Sequence, residues 1–124
     1  MLAYSTAFLR KRPHRIAGEP EPPVIYIGRM SEVTLTGELV CASSSDAEVV
    51  ERMLPQHVLL TRAEPGCLHF EVTRRGSSLV WDVTERFDNE DAFRAHQERV
   101  AESAWGVETA LIRRDYTVTG LTAE

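Results

Sequence analysis

The stretch "EPGCLHFEVTRRGSSLVWDVTERF", residues 64–87, holds two strand-like runs around a tight turn, and its reading decides the architecture. Pro65 cannot continue a helix and Gly66 accepts positive φ, so Glu64-Pro65-Gly66 reads as a helix stop followed by a turn. Residues 67–73 form one strand. "RRGS" is a hairpin turn, and in "SLVWDVTERF" Leu79, Trp81 and Val83 alternate with Val80, Asp82 and Thr84. A two-residue turn centred on Arg75-Gly76 would place Phe70 opposite Trp81, Val72 opposite Leu79 and Leu68 opposite Val83, all on one apolar face. The other face would then pair His69 with Asp82, Cys67 with Thr84 and Glu71 with Val80. Cys67, His69 and Glu71 stand at every second position, which invites a reading as nucleophile, base and orienter. Side chains two apart on a strand lie roughly 6–7 Å from each other, however, which makes them neighbours rather than hydrogen-bonded partners. A His69–Asp82 pair on a polar strand face is the plainer expectation.

Elements on either side extend the pattern. Upstream, "VTLTGELVCA" (33–42) turns Val33, Leu35, Leu39 and Cys41 to one side and Thr34, Thr36 and Glu38 to the other, as a half-buried strand does. Ser45 with Glu48 three residues on suggests a capping box for a helix whose inner stripe is Ala47, Val50, Leu54, His57, Val58 and Thr61, kinked by Pro55. Downstream, Asp88 is placed to cap "NEDAFRAHQERVAES". At 100° per residue Ala92, Phe93, His96, Arg99 and Val100 fall on one stripe of that helix, with His96 near its centre. An irregular stretch with Trp105 and Gly106 leads to a last strand, "RRDYTVTG", with Arg114, Tyr116 and Val118 on one side. The order is β-α-β-β-α-β. Such an α+β chain makes a four-stranded antiparallel sheet with two helices on one face, the ferredoxin-like plan.

The remaining numbers bound the function. A chain of 124 residues, 43% hydrophobic and 27% charged, has room for one domain, read here as residues 31–124. Residues 1–30 read as a flexible arm, because "RPHRIAGEPEPP" (12–23) has four prolines and few apolar side chains to bury. The arm carries Arg10, Lys11, Arg12, Arg15 and Arg29 against Glu19 and Glu21, yet the whole chain is −5, so the body is acidic. Acidity argues against a nucleic-acid partner, whose phosphates call for clustered Lys and Arg. Two cysteines without a CxxC or paired histidines give neither a disulfide framework nor a metal site, and fit reduced thiols in the cytoplasm. No apolar run approaches the roughly 20 residues that cross a bilayer, so no membrane association is expected.

His96, a lone ionisable group in an apolar stripe, faces the sheet side that carries Phe70, Trp81 and Tyr116. A hydrogen-bonded core histidine is the ordinary explanation; a cavity that does not close around one base is the functional one. His57 repeats the pattern on the first helix.

Taken in order, "EPGCLHFEV", "VWDVTERFDNEDAFRAHQERV", "SAW" and "RRDY" resemble the antibiotic biosynthesis monooxygenase family over about residues 33–119. Its marks are the EPGC turn, an acidic-x-aromatic unit (Glu85, Phe87) and the helix histidine of "AFRAH". The resemblance implies a homodimer, a dimeric α/β barrel of two packed sheets, with a pocket in each subunit between sheet and helices. It implies a small aromatic substrate and dioxygen, and no cofactor: neither metal, flavin nor haem. His96, with His57 as second candidate, would be catalytic; Phe70, Trp81, Phe93, Trp105 and Tyr116 would bind substrate. Haem-degrading members use an asparagine on the first strand, whereas the only asparagine here is Asn89. Several oxidising members carry tryptophan where this chain has Phe87. The leading expectation is a cofactorless monooxygenase for a quinol or a small phenolic or polycyclic aromatic compound. Its rivals are an isomerase of a small carbonyl compound on the same scaffold and a non-catalytic ligand-binding or stress-associated dimer.

Overall fold

The computed structural model describes residues 31–122, so the arm expected over residues 1–30 lies outside the described residues. Strands β1 (Val33–Val40), β2 (Cys67–Arg74), β3 (Val80–Phe87) and β4 (Arg113–Thr119) form one antiparallel sheet in the order β2-β3-β1-β4. Helices α1 (Ser44–Arg62), α2 (Glu90–Glu102) and α3 (Ala104–Glu108) complete the ferredoxin-like α+β fold. α3 is the expected irregular stretch, wound into a short helix whose Gly106 N–H bonds Ser103 Oγ at 3.0 Å.

Two caps sit one or two residues from their expected places. Ser43, not Ser45, caps α1 by accepting from the Asp46 N–H, while Asp46 accepts from the Ala42 N–H in return. Asn89, not Asp88, caps α2 by accepting from the Ala92 N–H at 2.8 Å. Both are the same device, a side-chain oxygen satisfying an orphan donor of the first turn. α1 is continuous through Pro55 and buries Ala47, Val50, His57 and Thr61.

The hairpin differs in register. Arg75 N–H bonds the Val80 carbonyl and Ser78 N–H the Arg75 carbonyl, so residues 75–79 form the connection, and Phe70 stands opposite Glu85, Val72 opposite Val83 and Thr73 opposite Asp82. The expected Phe70–Trp81, Val72–Leu79, Leu68–Val83, His69–Asp82, Cys67–Thr84 and Glu71–Val80 pairs are therefore displaced. Ser77, Ser78 and Leu79 are spent on the turn instead of the strand. The displacement is an even number of positions, which preserves the faces: Trp81, Val83, Glu85 and Phe87 are all buried.

A second irregularity lies at Leu68, where a bulge brings Cys67 opposite Phe87 but His69 opposite Arg86. One extra residue reverses the phase, so Cys67 and His69 project to opposite sides of the sheet. Leu68 is 44% exposed, not turned to the interior as expected. His69 lies on the outer face 3.6 Å from Glu71, and Asp82 pairs with Arg75.

Gly66 serves space rather than backbone freedom. It is absent from the positive-φ glycines, contrary to expectation, but a Cβ there would stand 2.3 Å from the Ala92 Cβ, and its carbonyl accepts the Asp88 N–H at 2.8 Å. The EPG turn is thus pressed against the start of α2. The core between sheet and helices is filled by Val33, Leu35, Leu39, Val50, Val83, Phe87 and Phe93.

Candidate functional site

The helix-covered face of the sheet contributes Phe70 and Val72 from β2, Val83 and Glu85 from β3, and Arg114 and Tyr116 from β4. His57 from α1, His96, Gln97 and Val100 from α2, and Trp105 from α3 close the other side. Together they enclose a cavity of about 30 Å³. Of the residues expected at the site, His96, His57, Phe70, Trp105 and Tyr116 line it. Phe93 and Trp81 do not: Phe93 is fully buried against Phe87, and Trp81, near the start of β3, lies beneath the Arg74 guanidinium.

His96 is held from both ends. Its Nδ1 stands 2.9 Å from Glu64 Oε1, and its Nε2 lies 3.8 Å from Glu85 Oε1. Glu64 also receives the Arg99 guanidinium, which donates a further bond to Thr61 Oγ1 at 3.0 Å. Burial alone would raise the Glu64 pKa, but hydrogen bonds from His96 and Arg99 outweigh it and hold the carboxyl below its ordinary value. Glu64 is therefore a carboxylate and accepts an Nδ1–H from His96. With that proton on Nδ1, the Nε2 side of the ring, toward Glu85 and the cavity, is the one open to accept a proton. Carboxylate–imidazole order of this kind fixes the tautomer of a general base.

Glu85 is a different carboxyl. It is 6% exposed, its Oε1 has no hydrogen-bond partner among the described residues, and burial pushes its pKa up to about 7 despite the nearby Arg114 charge and the charge His96 gains on protonation. Glu64 and Glu85 thus flank one imidazole with opposite shifts, one held down and one pushed up toward neutrality, a division that separates acid from base. Gln97 Nε2 and His57 Nδ1 are likewise buried without a partner among the described residues. Three cavity-lining residues therefore present unsatisfied polar atoms, which a polar guest would satisfy.

His57 is not a second such base. Burial, helped by the charge His96 gains on protonation and by Arg99 and Arg114, pushes its pKa down to about 3, so the ring is neutral. It stacks on Trp105, centroids 4.5 Å apart and planes 3° from parallel, and meets Phe70 edge-on at 5.1 Å.

The Cys67-based reading fails on geometry and on charge. His69 lies on the other face, and burial with the Glu64 charge pushes the Cys67 thiol pKa up, away from the thiolate a nucleophile needs. Among the described residues no group of three or more His, Cys, Asp or Glu could hold a metal ion, and no helix is long and apolar enough to cross a membrane.

Glu64, Glu85, Gln97, Arg99 and Arg114 were not singled out from sequence as site residues. Three of them left a periodic signal: Glu85 in the inward series Trp81, Val83, Glu85, Phe87, Arg99 on the stripe of His96, and Arg114 beside Tyr116 on one side of the last strand.

The family model described as "Antibiotic biosynthesis monooxygenase" matches residues 34–105. No curated protein matches the sequence. Among solved structures, Rv0793 of Mycobacterium tuberculosis superposes with a TM-score of 0.58 at 18% identity, covering 76% of this chain and 98% of its own. A candidate antibiotic biosynthesis monooxygenase of Caulobacter crescentus CB15 gives 0.56 at 16%, covering 77% and 93%. NE2512, a protein of unknown function from Nitrosomonas europaea, gives 0.59 at 19%, covering 77% and 94%. At these identities the structures establish the shared fold.

Proposed function

The chain belongs to the antibiotic biosynthesis monooxygenase family, and on that premise we propose that it is a cofactor-independent monooxygenase that oxidises a quinol or related phenol with dioxygen. The observation that carries the proposal is the part-buried Glu64–His96 pair, in which His96 Nε2 faces an aromatic-lined cavity. A phenol of pKa near 10 must lose its proton before the ring becomes electron-rich enough to reduce oxygen. His96 Nε2 takes that proton, and Glu64 stabilises the imidazolium. The ring carbon then forms a C–O bond to dioxygen; cleavage of the O–O bond leaves one oxygen on the ring and releases the other as water. A hydroquinone plus O₂ gives a hydroxyquinone plus H₂O, so the substrate loses the four electrons that dioxygen gains. Protonated Glu85, beside His96, returns a proton to the departing oxygen. Phe70, Trp105 and Tyr116 form apolar walls that exclude water from the intermediates.

Family likeness also supports action as a homodimer in the cytoplasm, with the uncovered sheet faces packed together. That face is polar, carrying Arg75 with Glu38 and Asp82, and Arg113 with Asp115.

A second reading is favoured by the proton-sharing geometry itself. A base and a proton-bearing acid on one small cavity would also enolise a small carbonyl compound without consuming oxygen. Oxygen uptake by metal-free protein with a panel of quinols separates the two. Uptake above the spontaneous rate, reduced about 100-fold or more in His96→Ala, supports the monooxygenase; isomerisation of a carbonyl compound without uptake supports the alternative.

A further inference from the structure

The cavity beside His96 cannot itself hold a ring. At about 30 Å³ it has room for little more than a water or a substrate oxygen, whereas a cavity of roughly 150 Å³ is what accommodates benzene. A second cavity of about 140 Å³ lies in the helix layer, its lining including Met53, Gln56, His57 and Leu60 of α1, Arg99 of α2 and Trp105 of α3. His57 and Trp105 belong to both linings, so their stacked rings are the wall between the two cavities.

We propose that the outer cavity is a binding subsite for a single aromatic ring, which reaches His96 with its oxygen by displacing the His57–Trp105 stack. This inference rests on the phenol-oxidising reading and narrows its substrate class to one-ring phenols and quinols.

The wall is suited to movement. Trp105 is carried by a five-residue helix, and His57 Nδ1 makes no hydrogen bond among the described residues, so no polar contact at that nitrogen has to break when the imidazole turns. The imidazole is neutral, so turning it moves no charge through the interior. A substrate ring that replaces one partner of the stack restores the aromatic contact it breaks. Met53 adds an adaptable thioether surface, and Leu60 an aliphatic one. Arg99 lines the outer cavity while bonding Glu64, which links an occupant of that cavity to the group that orients His96. Rings larger than one would need the helices themselves to part.

The test is calorimetric titration of the full chain under nitrogen with phenol, 1-naphthol and 1-anthrol, together with the Trp105 indole N–H resonance by NMR. Phenol is expected to bind and to shift that resonance, with affinity falling about tenfold or more for each added ring. Leu60→Phe and Gln56→Phe, both at the exposed rim of the outer cavity, are each expected to weaken phenol binding about tenfold. Undiminished binding in both variants, an unmoved Trp105 signal, or equal affinity for the three-ring phenol overturns the subsite. Because no turnover is involved, phenol binding without aerobic oxygen uptake would defeat the monooxygenase reading alone. Uptake with unchanged KM in both variants would defeat the subsite alone.

Discussion

His96 Nδ1 stands 2.9 Å from Glu64 Oε1, a contact that joins the middle of α2 to a turn 32 residues upstream. Replacing Glu64 by Gln keeps the shape but lets the amide donate as well as accept, so the tautomer of His96 is no longer fixed and Arg99 loses its carboxylate. Oxygen-uptake kcat is expected to fall about 10- to 100-fold, with about 1–3 kcal/mol of stability lost in urea unfolding. In the wild type, ¹⁵N NMR of the neutral imidazole should show the proton on Nδ1.

Two buried groups pull the pH dependence of stability in opposite directions. Glu85, raised from 4.5 to about 7, is bound to its proton in the folded chain when the unfolded chain has released it, so its contribution is full below pH 4.5 and is lost as pH rises to about 7. His57, lowered from 6.5 to about 3, binds its proton in the unfolded chain first, so its contribution is present above pH 6.5 and is lost as pH falls toward 3. Between pH 4.5 and 6.5 the two slopes, each up to about 1.4 kcal/mol per pH unit, offset each other. Chemical unfolding across that window should therefore be nearly flat for the wild type. Stability should fall with rising pH in His57→Phe and with falling pH in Glu85→Gln.

Gly66 and Ala92 test the packing of the EPG turn. Gly66→Ala would place a methyl 2.3 Å from the Ala92 Cβ and should cost about 1–3 kcal/mol. Adding Ala92→Gly removes the clash, so the double variant should recover stability relative to Gly66→Ala after allowing about 1 kcal/mol for a glycine in α2. Equal unfolding midpoints for wild type and Gly66→Ala would contradict the close approach.

Cys67 should be chemically quiet. With its thiol pKa raised by burial and by the Glu64 charge, alkylation by iodoacetamide at pH 7 should be slower than that of free cysteine. Cys67→Ala should keep oxygen uptake within about twofold, since no step uses the thiol.

How far the sequence could be read follows from which features are periodic. The faces of β2 and β3 were legible because alternation survives an even shift in register, and Phe70, Val72, Trp81 and Val83 all turn inward or half inward despite the displaced partners. The register itself was not, since nothing in "RRGSSL" distinguishes a two-residue turn from a five-residue connection. The Leu68 bulge was equally silent, and it is what takes Cys67 and His69 to opposite faces. His96 was visible as a polar letter in an apolar helical stripe. Glu85 carried the same kind of signal in a strand of period two, a carboxyl in the inward series of Trp81, Val83 and Phe87. Glu64 sits in a turn, where no period exists, and its approach to His96 is a product of tertiary packing alone.

The central claim is that His96, oriented by Glu64, removes a phenolic proton and so opens the ring to dioxygen. It is tested most directly by oxygen consumption with one-ring hydroquinones under metal-free conditions, wild type against His96→Ala. Stoichiometric uptake is expected, one O₂ per hydroxyquinone formed, with the rate falling about 100-fold or more in the variant. Equal rates in the two proteins, or no uptake above spontaneous oxidation, would contradict it.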